Sequence, residues 1–555
     1  MSEVLSDGKK NCDFEYEAKY FDVVNLQVRQ LEGFAMPKEL EISEKQNGML
    51  DAEYGFGWRH IIAFLGTFGF MTNYLIIFNL SVTIVSMVNN TALEDQSWER
   101  LEKIRNETLP FSPSLCAAPN QTTVDKDGPF LWSRTQMGIV LGSFYYGYIW
   151  TQMPGGLLSA KFGGKWIFGL GTFLAGVLTF FVPLAAAAGV EYLIAIRVLQ
   201  GLSEAIFIIS KAKDKYYLQQ FRAILAQWVP PHERTKIPTL TISGCSFGIV
   251  IAFITSGLLA DSNFLGGWPS VFYVCGLISC IWFAVWVIFV SSNPAGHRFI
   301  RDAEKDYIAK CLSRDLKSRN QDGKVPGMMD LPWKAIITST AVWAVFISHF
   351  TFNWCNYTLL TSLPTYFNTV LGLNLRANGL LSAIPYVAQT VVQIVVGPVA
   401  DTLRSKCGLK TELVRKLLDC SAHFFPGICI IAVGHIGCDT TAAIALLSTA
   451  VGLTGLTGGG FFVNLFDISP QYAGVIFGMS NTLATIPGIA GPYLTQTLIR
   501  DEPTVASWQI VFYIAASLYF FSTIFYMIFA KASIQWWADP QYEKKKKSTS
   551  AKERF

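Results

Sequence analysis

The chain has 555 residues, of which 51% are hydrophobic and 15% charged, with a net charge of +4. A soluble domain carries roughly 25% charged residues, so the composition argues against a soluble enzyme. No lysine or arginine cluster interleaved with aromatics offers a surface for nucleic acid. The eleven cysteines are spread singly and form no CxxC pair, which argues against structural zinc.

Residues 1–57 are polar and acidic-rich and read as a cytoplasmic tail. No short apolar core follows a basic start, so no signal peptide is expected and the first span acts as its own insertion signal. Apolar blocks of about twenty residues, the length a helix needs to cross roughly 30 Å of hydrocarbon, then predict spans near 58–88, 135–158, 166–187, 190–209, 239–260 and 271–290. A hydrophilic linker, 291–334, holds nine lysines and arginines. Six more spans are predicted near 335–361, 377–400, 416–436, 440–464, 472–498 and 507–530, before a basic tail, 531–555. The expectation is an all-α membrane protein of about twelve helices, with bundles at 58–290 and 335–530.

Orientation follows from the positive-inside rule. The basic linker, the 401–416 loop and Lys544–Lys547 fall on one side if both termini are cytoplasmic. The loop 89–134 then lies outside, where its N-x-[ST] sequons at Asn89, Asn106 and Asn120 are candidate glycosylation sites. A further sequon at Asn356 lies inside a span and is set aside. Cys116 and Cys438 both fall outside and are candidates for a bridge.

A weak repeat links the halves. Gly156–Lys165 after the second span and Gly397–Lys406 after the eighth both read G-x-x-x-[AD]-x-x-x-x-K. Two parallel halves of six helices are the layout of major facilitator transporters, which bind substrate between the halves near the midplane.

Charges inside the spans are few. Arg197 and Glu204 on the fourth span are seven residues apart, nearly two turns, and share one face. A buried charge costs roughly 2.5–3.5 kcal/mol even on a lenient scale, a cost that an anion site justifies. Arg197 is the candidate anion ligand. Glu204 is either a coupling-ion or proton site or the partner of a cytoplasmic lysine such as Lys211. Beyond it, Lys211–Lys215 puts four charges in five residues, which cannot sit in hydrocarbon.

In the seventh span His349, Asn353 and Asn356 form a polar stripe that either lines a cavity or bonds neighbouring helices. His349, near the start of that span, reads as interfacial. Asn79, Tyr148, Gln152, Asn464, Asp467 and Asn481 are further polar residues in or beside spans. Gly458–Gly460 lacks the lysine and preceding strand of a nucleotide loop and reads as helix packing or a gate. No nucleophile triad or metal-ligand cluster is present, so no enzyme and no cofactor is expected.

Six ordered motifs carry a family resemblance: Gly142–Gly156 (GSFYYGYIWTQMPGG), Arg197–Glu204 (RVLQGLSE), Trp228–Arg234 (WVPPHER), Asn353–Phe367 (NWCNYTLLTSLPTYF), Asp467–Gly474 (DISPQYAG) and Trp508–Phe512 (WQIVF). Over about residues 58–540 the chain resembles the sodium–phosphate cotransporter, sialin and vesicular glutamate transporter family. The resemblance implies anion transport driven by sodium, protons or voltage, with Arg197 as anion-binding arginine and Glu204 as proton-linked glutamate. The seventh span is most similar to sialin. Ile77 stands where members carry an arginine before Asn79-Leu80-Ser81, which puts any carried-over substrate in doubt. Leu141, Phe352 and Leu465 stand where vesicular glutamate transporters carry histidine, arginine and histidine, which argues against glutamate. Sixteen residues, 205–220, replace about six of the family's, an atypical insertion or a variant reading.

The expected function is cation-coupled symport of inorganic phosphate or a small organic anion by alternating access, with Na+ or H+ as coupling ion. The alternatives are a proton- or voltage-driven vesicular or lysosomal organic anion transporter and a non-transporting sensor with the same fold. No obligate protein partner is evident. No acidic dileucine signal stands in residues 1–56 or 531–555, which tilts the address towards the plasma membrane.

Overall fold

A computed structural model describes residues 55–92, 128–162, 164–203, 224–319 apart from 226, 231, 232, 234 and 235, and then 331–470, 472–500 and 504–539. The segment 205–220, Glu204, Asn106, Asn120 and Cys116 lie outside the described residues. The spans form as helices α1 (Trp58–Met87), α2 (Arg134–Phe162), α3 (Gly164–Phe180, continued by Val182–Ala188), α4 (Val190–Ser203), α5 (Lys236–Asp261) and α6 (Trp268–Phe289). The second set is α7 (Thr340–Thr369), α8 (Leu375–Ser405), α9 (Thr411–His435), α10 in two pieces (α10a, Thr440–Thr454; α10b, Phe461–Ile468), α11 (Ala473–Leu498) and α12 (Val505–Phe529). Between the sets lies a linker helix, Asp302–Arg319.

Among the described residues eight of these helices are long and apolar enough to cross a membrane, and the two pieces of α3, bent by 45°, add a ninth. The α3 bend falls where Pro183 begins the second piece. Phe64, Leu184, Ile288, Ile394 and Ile528 stand exposed, as a lipid-facing surface requires. Several helices overrun their predicted spans. α2 continues to Phe162 and α8 to Ser405, so the two G-x-x-x-[AD] repeats lie largely in the last helical turns and not in loops. α8 passes through Pro385 and Pro398, which membrane helices tolerate because neighbouring groups re-satisfy the freed carbonyls.

α10 is broken. Gly455–Gly459 forms a 3₁₀ turn between its pieces. A Cβ on Gly460 would stand 2.6 Å from Asp419 Oδ1 on α9, so this glycine lets the chain pass hard against a carboxylate.

The two halves meet through α1 with α7, α2 with α11, and α5 with α8. The close contacts concentrate towards the face where Met87 and Arg134 lie, here called the loop face. There a Cβ on Gly379 of α8 would stand 2.6 Å from the Phe253 carbonyl oxygen and 2.8 Å from Gly257 Cα of α5. A Cβ on Gly138 of α2 would meet the Pro492 carbonyl oxygen of α11 at 3.0 Å. Gly397 of α8 and Gly478 of α11, towards the opposite, linker face, have nothing within 4 Å of such a Cβ. The molecule is closed at the loop face.

Candidate anion site between the halves

Arg197 is 2% exposed. Its depth is set by two glycines. A Cβ on Gly147 of α2 would collide with the Val198 carbonyl oxygen, and one on Gly201 of α4 with the Phe144 carbonyl oxygen. The backbones of α2 and α4 therefore touch, and the guanidinium lies over the Phe144 ring at 5.6 Å, within cation–π range. Arg197 Nη1 donates to Gln200 Oε1 at 3.0 Å and to the Ile76 carbonyl at 3.3 Å, and Nη2 donates to the Ile77 carbonyl at 2.9 Å. Gln200 is held by Thr179 of α3 at 2.9 Å. Arg197 Nε is buried and has no hydrogen-bond partner, and among the described residues no carboxylate pairs with this cation. A buried charged donor left unmade is costly, and an anion would complete it.

A cluster of tyrosines meets this cation through Tyr145. Tyr145 of α2 is its electrostatic neighbour. Tyr74 of α1 is an electrostatic neighbour of Tyr145, Tyr148, Tyr357 of α7 and Cys245 of α5. The Tyr145 and Tyr357 rings lie 4.7 Å apart across the two halves, and Tyr148 stacks on Phe144 at 5.7 Å. Tyr145 Oη is buried without a hydrogen bond. Among the described residues the arrangement is one cation beside Phe144 and Tyr145, at the edge of a tyrosine cluster that crosses the two halves.

The other expected site residues are placed elsewhere. Asn353 Nδ2 donates to the Ala484 carbonyl of α11 at 2.9 Å, and Asn464 Nδ2 donates to Tyr526 Oη of α12 at 2.8 Å. Both amides tie neighbouring helices together. Asn356, by contrast, has a buried Oδ1 without a partner. Asn79 is fully buried, and neither amide atom reaches an oxygen or nitrogen partner. His349 is not interfacial. It is 3% exposed, its Nδ1 lies 2.8 Å from Ser480 Oγ of α11, and Phe461, Phe462 and Phe477 surround its ring. Asn89, of the glycosylation candidates, is half-buried, with Oδ1 accepting from the Ala92 amide at 2.8 Å. Cys438 is disulfide-bonded, and the other described cysteines are free thiols.

Two features escaped the sequence reading. At the linker face, Arg59 of α1 is 1% exposed and pairs with Glu233, inside the Trp228–Arg234 motif, and with Glu304 of the linker helix at 3.4 Å. Glu304 also accepts from the Trp58 and Arg59 amides at 2.9 and 3.2 Å, so a carboxylate from the linker caps the start of α1. In the second half Arg415 of α9 pairs with Asp467, inside the Asp467–Gly474 motif, at 2.8 Å. The two motifs thus do the same work, each supplying a carboxylate to an arginine near a helix start. The second feature is Asp419 and His423, buried one turn apart on α9. Ionisable residues at i and i+4 within an apolar span were the available signal.

The fold fits what comparison with known proteins finds. The model of the Major Facilitator Superfamily matches residues 61–492. Sialin of Homo sapiens is 38% identical over 482 residues, covering 86% of this chain and 90% of its own. A putative inorganic phosphate cotransporter of Drosophila melanogaster is 35% identical over 496 residues, 88% of each chain. Vesicular glutamate transporter 2 of Homo sapiens is 33% identical over 505 residues, 91% of this chain and 79% of its own. Among solved structures, an inward-facing, unoccupied bacterial homolog of the human lysosomal transporter Spinster superposes with a TM-score of 0.61 at 14% identity, over 85% of this chain and 96% of that one. A D-xylose–proton symporter gives 0.57 at 14% identity, over 85% and 97%. The chain belongs to the Major Facilitator Superfamily, in the family that joins sialin, the inorganic phosphate cotransporters and the vesicular glutamate transporters.

Proposed function

We propose that this chain is a multi-pass, cation-coupled symporter of a small organic monoanion, bound between the halves at Arg197 and carried by alternating access. The observation that carries the reading is the buried Arg197 Nε, a charged donor with no partner, at the edge of the cluster of Tyr74, Tyr145, Tyr148 and Tyr357. With isoleucine at 77, Arg197 supplies the site with one positive charge and spends two donors on the Ile76 and Ile77 carbonyls. One cation balances one carboxylate. A phosphate dianion is better served by several charged donors. Tyrosine hydroxyls and ring faces suit an organic body bearing hydroxyls.

Inorganic phosphate as its monoanion is the second reading, supported by the similarity to the Drosophila cotransporter. Sodium or a proton is the coupling ion. Similarity to sialin and to vesicular glutamate transporters supports an organellar membrane as the alternative address to the plasma membrane.

Uptake of labelled sialic acid and of labelled phosphate into cells expressing the full chain, with sodium or proton gradients imposed in turn, tests the reading. Saturable, gradient-driven uptake of the organic acid, abolished by Arg197→Ala, is the expected result. Uptake unaffected by Arg197→Ala would overturn the site. Uptake of phosphate alone would replace the substrate class.

A further inference from the structure

The second bundle holds an acid and a base that the anion site does not use. Asp419 and His423 of α9 are both fully buried. Asp419 Oδ2 accepts from Ser348 Oγ of α7 at 2.8 Å, and Oδ1 accepts from the amide of Phe461, the first residue of α10b, at 3.0 Å. Neither donor carries a full charge. The nearest candidate counter-ion is His423, with Nδ1 3.7 Å from Asp419 Oδ2.

The ring's own contacts favour a donor at each nitrogen. His423 Nδ1 lies 2.9 Å from the Asp419 carbonyl oxygen, and Nε2 lies 3.4 Å from the Ser348 carbonyl oxygen. Both partners can only accept. A neutral imidazole has one donor and one acceptor nitrogen, so one nitrogen would set its lone pair against a carbonyl oxygen. The imidazolium donates from both and has a carboxylate beside it.

The other polar groups around the pair leave it as the local charge balance. On α7, the next residue, His349, turns away to Ser480. On α10b, Asn464 is bound to Tyr526 of α12. Tyr526 is an electrostatic neighbour of Asp419, Arg415 and Asp467, and Arg415 is committed to Asp467 and the Gly459 carbonyl. Cys420 follows Asp419 on α9 as a free thiol. Tyr386 of α8 reaches Tyr519. Tyr519 of α12 meets the His423 ring edge-on at 5.1 Å.

A small cavity lies near the pair. Tyr519 lines a cavity of about 10 Å³ together with Asn356, Cys355 and Thr454, room for about one water molecule. Asn356 Oδ1 is buried there without a hydrogen bond. Tyr519 thus touches both that cavity and the His423 ring.

We propose that Asp419 and His423 form a proton-binding site in the second bundle, occupied in this conformation as an aspartate paired with a histidinium. Loading adds one proton from water to the imidazole, and the pair is then neutral overall. Unloading returns that proton to water and leaves an aspartate beside a neutral imidazole, so release belongs to a conformation that hydrates the α10 break. The site stands apart from the anion reading, and its test needs no substrate.

The test is ¹⁵N magnetic resonance of the full chain in lipid vesicles, labelled at its six histidines, with His423→Gln to assign the signal. The expected result is a resonance pair typical of a doubly protonated ring at pH 7, which disappears in His423→Gln and converts to the neutral pattern in Asp419→Asn at the same pH. A neutral pattern for His423 at pH 7 and above in the unsubstituted protein would overturn the proposal and leave Asp419 as a cap for α10b. Should Asp419→Asn fail to fold, the comparison with His423→Gln still decides.

Discussion

Replacing Gly379 by alanine tests the closed loop face directly. The new Cβ would stand 2.6 Å from the Phe253 carbonyl oxygen and 2.8 Å from Gly257 Cα, whereas ordinary contact begins near 3.4 Å. Both obstacles are backbone, so no side chain can swing aside, and α5 and α8 must part by about 0.6–0.8 Å at this crossing. Overpacking of this kind costs roughly 1–3 kcal/mol. The cost falls only on conformations in which this crossing is closed. An equilibrium between closed and open loop faces therefore shifts about 5- to 150-fold towards open, at about 1.4 kcal/mol per factor of ten. Phe253, Ser256 and Gly257 share one face of α5 by helical spacing, and Ser256 is fully buried. Ser256→Cys, probed on intact cells with a membrane-impermeant maleimide, should label slowly alone and several-fold faster with Gly379→Ala. Equal labelling rates, with normal surface expression, would refute the claim that this crossing seals one face of an alternating molecule.

Three further predictions follow from the linker face and the bridge. Glu304→Gln keeps the shape but removes the charge that caps α1 and faces Arg59; a loss of about 1–3 kcal/mol is expected, read as a lower melting temperature of the purified full chain. His297, on the linker, donates from Nε2 to the Phe289 carbonyl and accepts at Nδ1 from the Phe299 amide. Burial holds its pKa below the ordinary 6.5. Its neutral form therefore stabilises the fold fully above about pH 6.5, and that stability is lost as pH falls through the lowered value. The melting temperature should fall on acidification, and His297→Gln should flatten that dependence. Non-reducing peptide mapping should recover Cys438 joined to Cys116; recovery joined to Cys12 instead would overturn the assignment of the N-terminal tail to the cytoplasm.

The spans were legible because apolar runs of membrane length are a strong and local signal. Arg197 was legible for the opposite reason, as a lone charge inside such a run. Asp419 is hidden in the sequence by its place: the apolar run begins near Lys416, and an acid three residues later stands at its edge. The structure carries α9 back to Thr411 and buries Asp419 completely. The α10 break was visible only as glycines, since Gly460 acquires meaning from the α9 carboxylate it passes. The tie of Arg59 to Glu233 and Glu304 joins residues 174 and 245 positions apart, and no periodicity reports a contact of that range. The polar stripe of α7 was seen, yet its division of labour was not. Asn353 bonds a neighbouring helix, and Asn356 faces a cavity.

The central claim is that one buried cation between the halves binds the transported anion. Counterflow in proteoliposomes carrying the purified full chain tests it most directly, because exchange needs binding and alternation but no gradient. Vesicles loaded with unlabelled sialic acid are diluted into a trace of labelled acid, with Arg197→Ala and Arg197→Lys alongside. The account predicts transient accumulation with the unsubstituted chain, none with Arg197→Ala, and partial recovery with Arg197→Lys, which keeps the charge but not the fork that reaches both carbonyls. Equal accumulation by the unsubstituted chain and Arg197→Ala would contradict it.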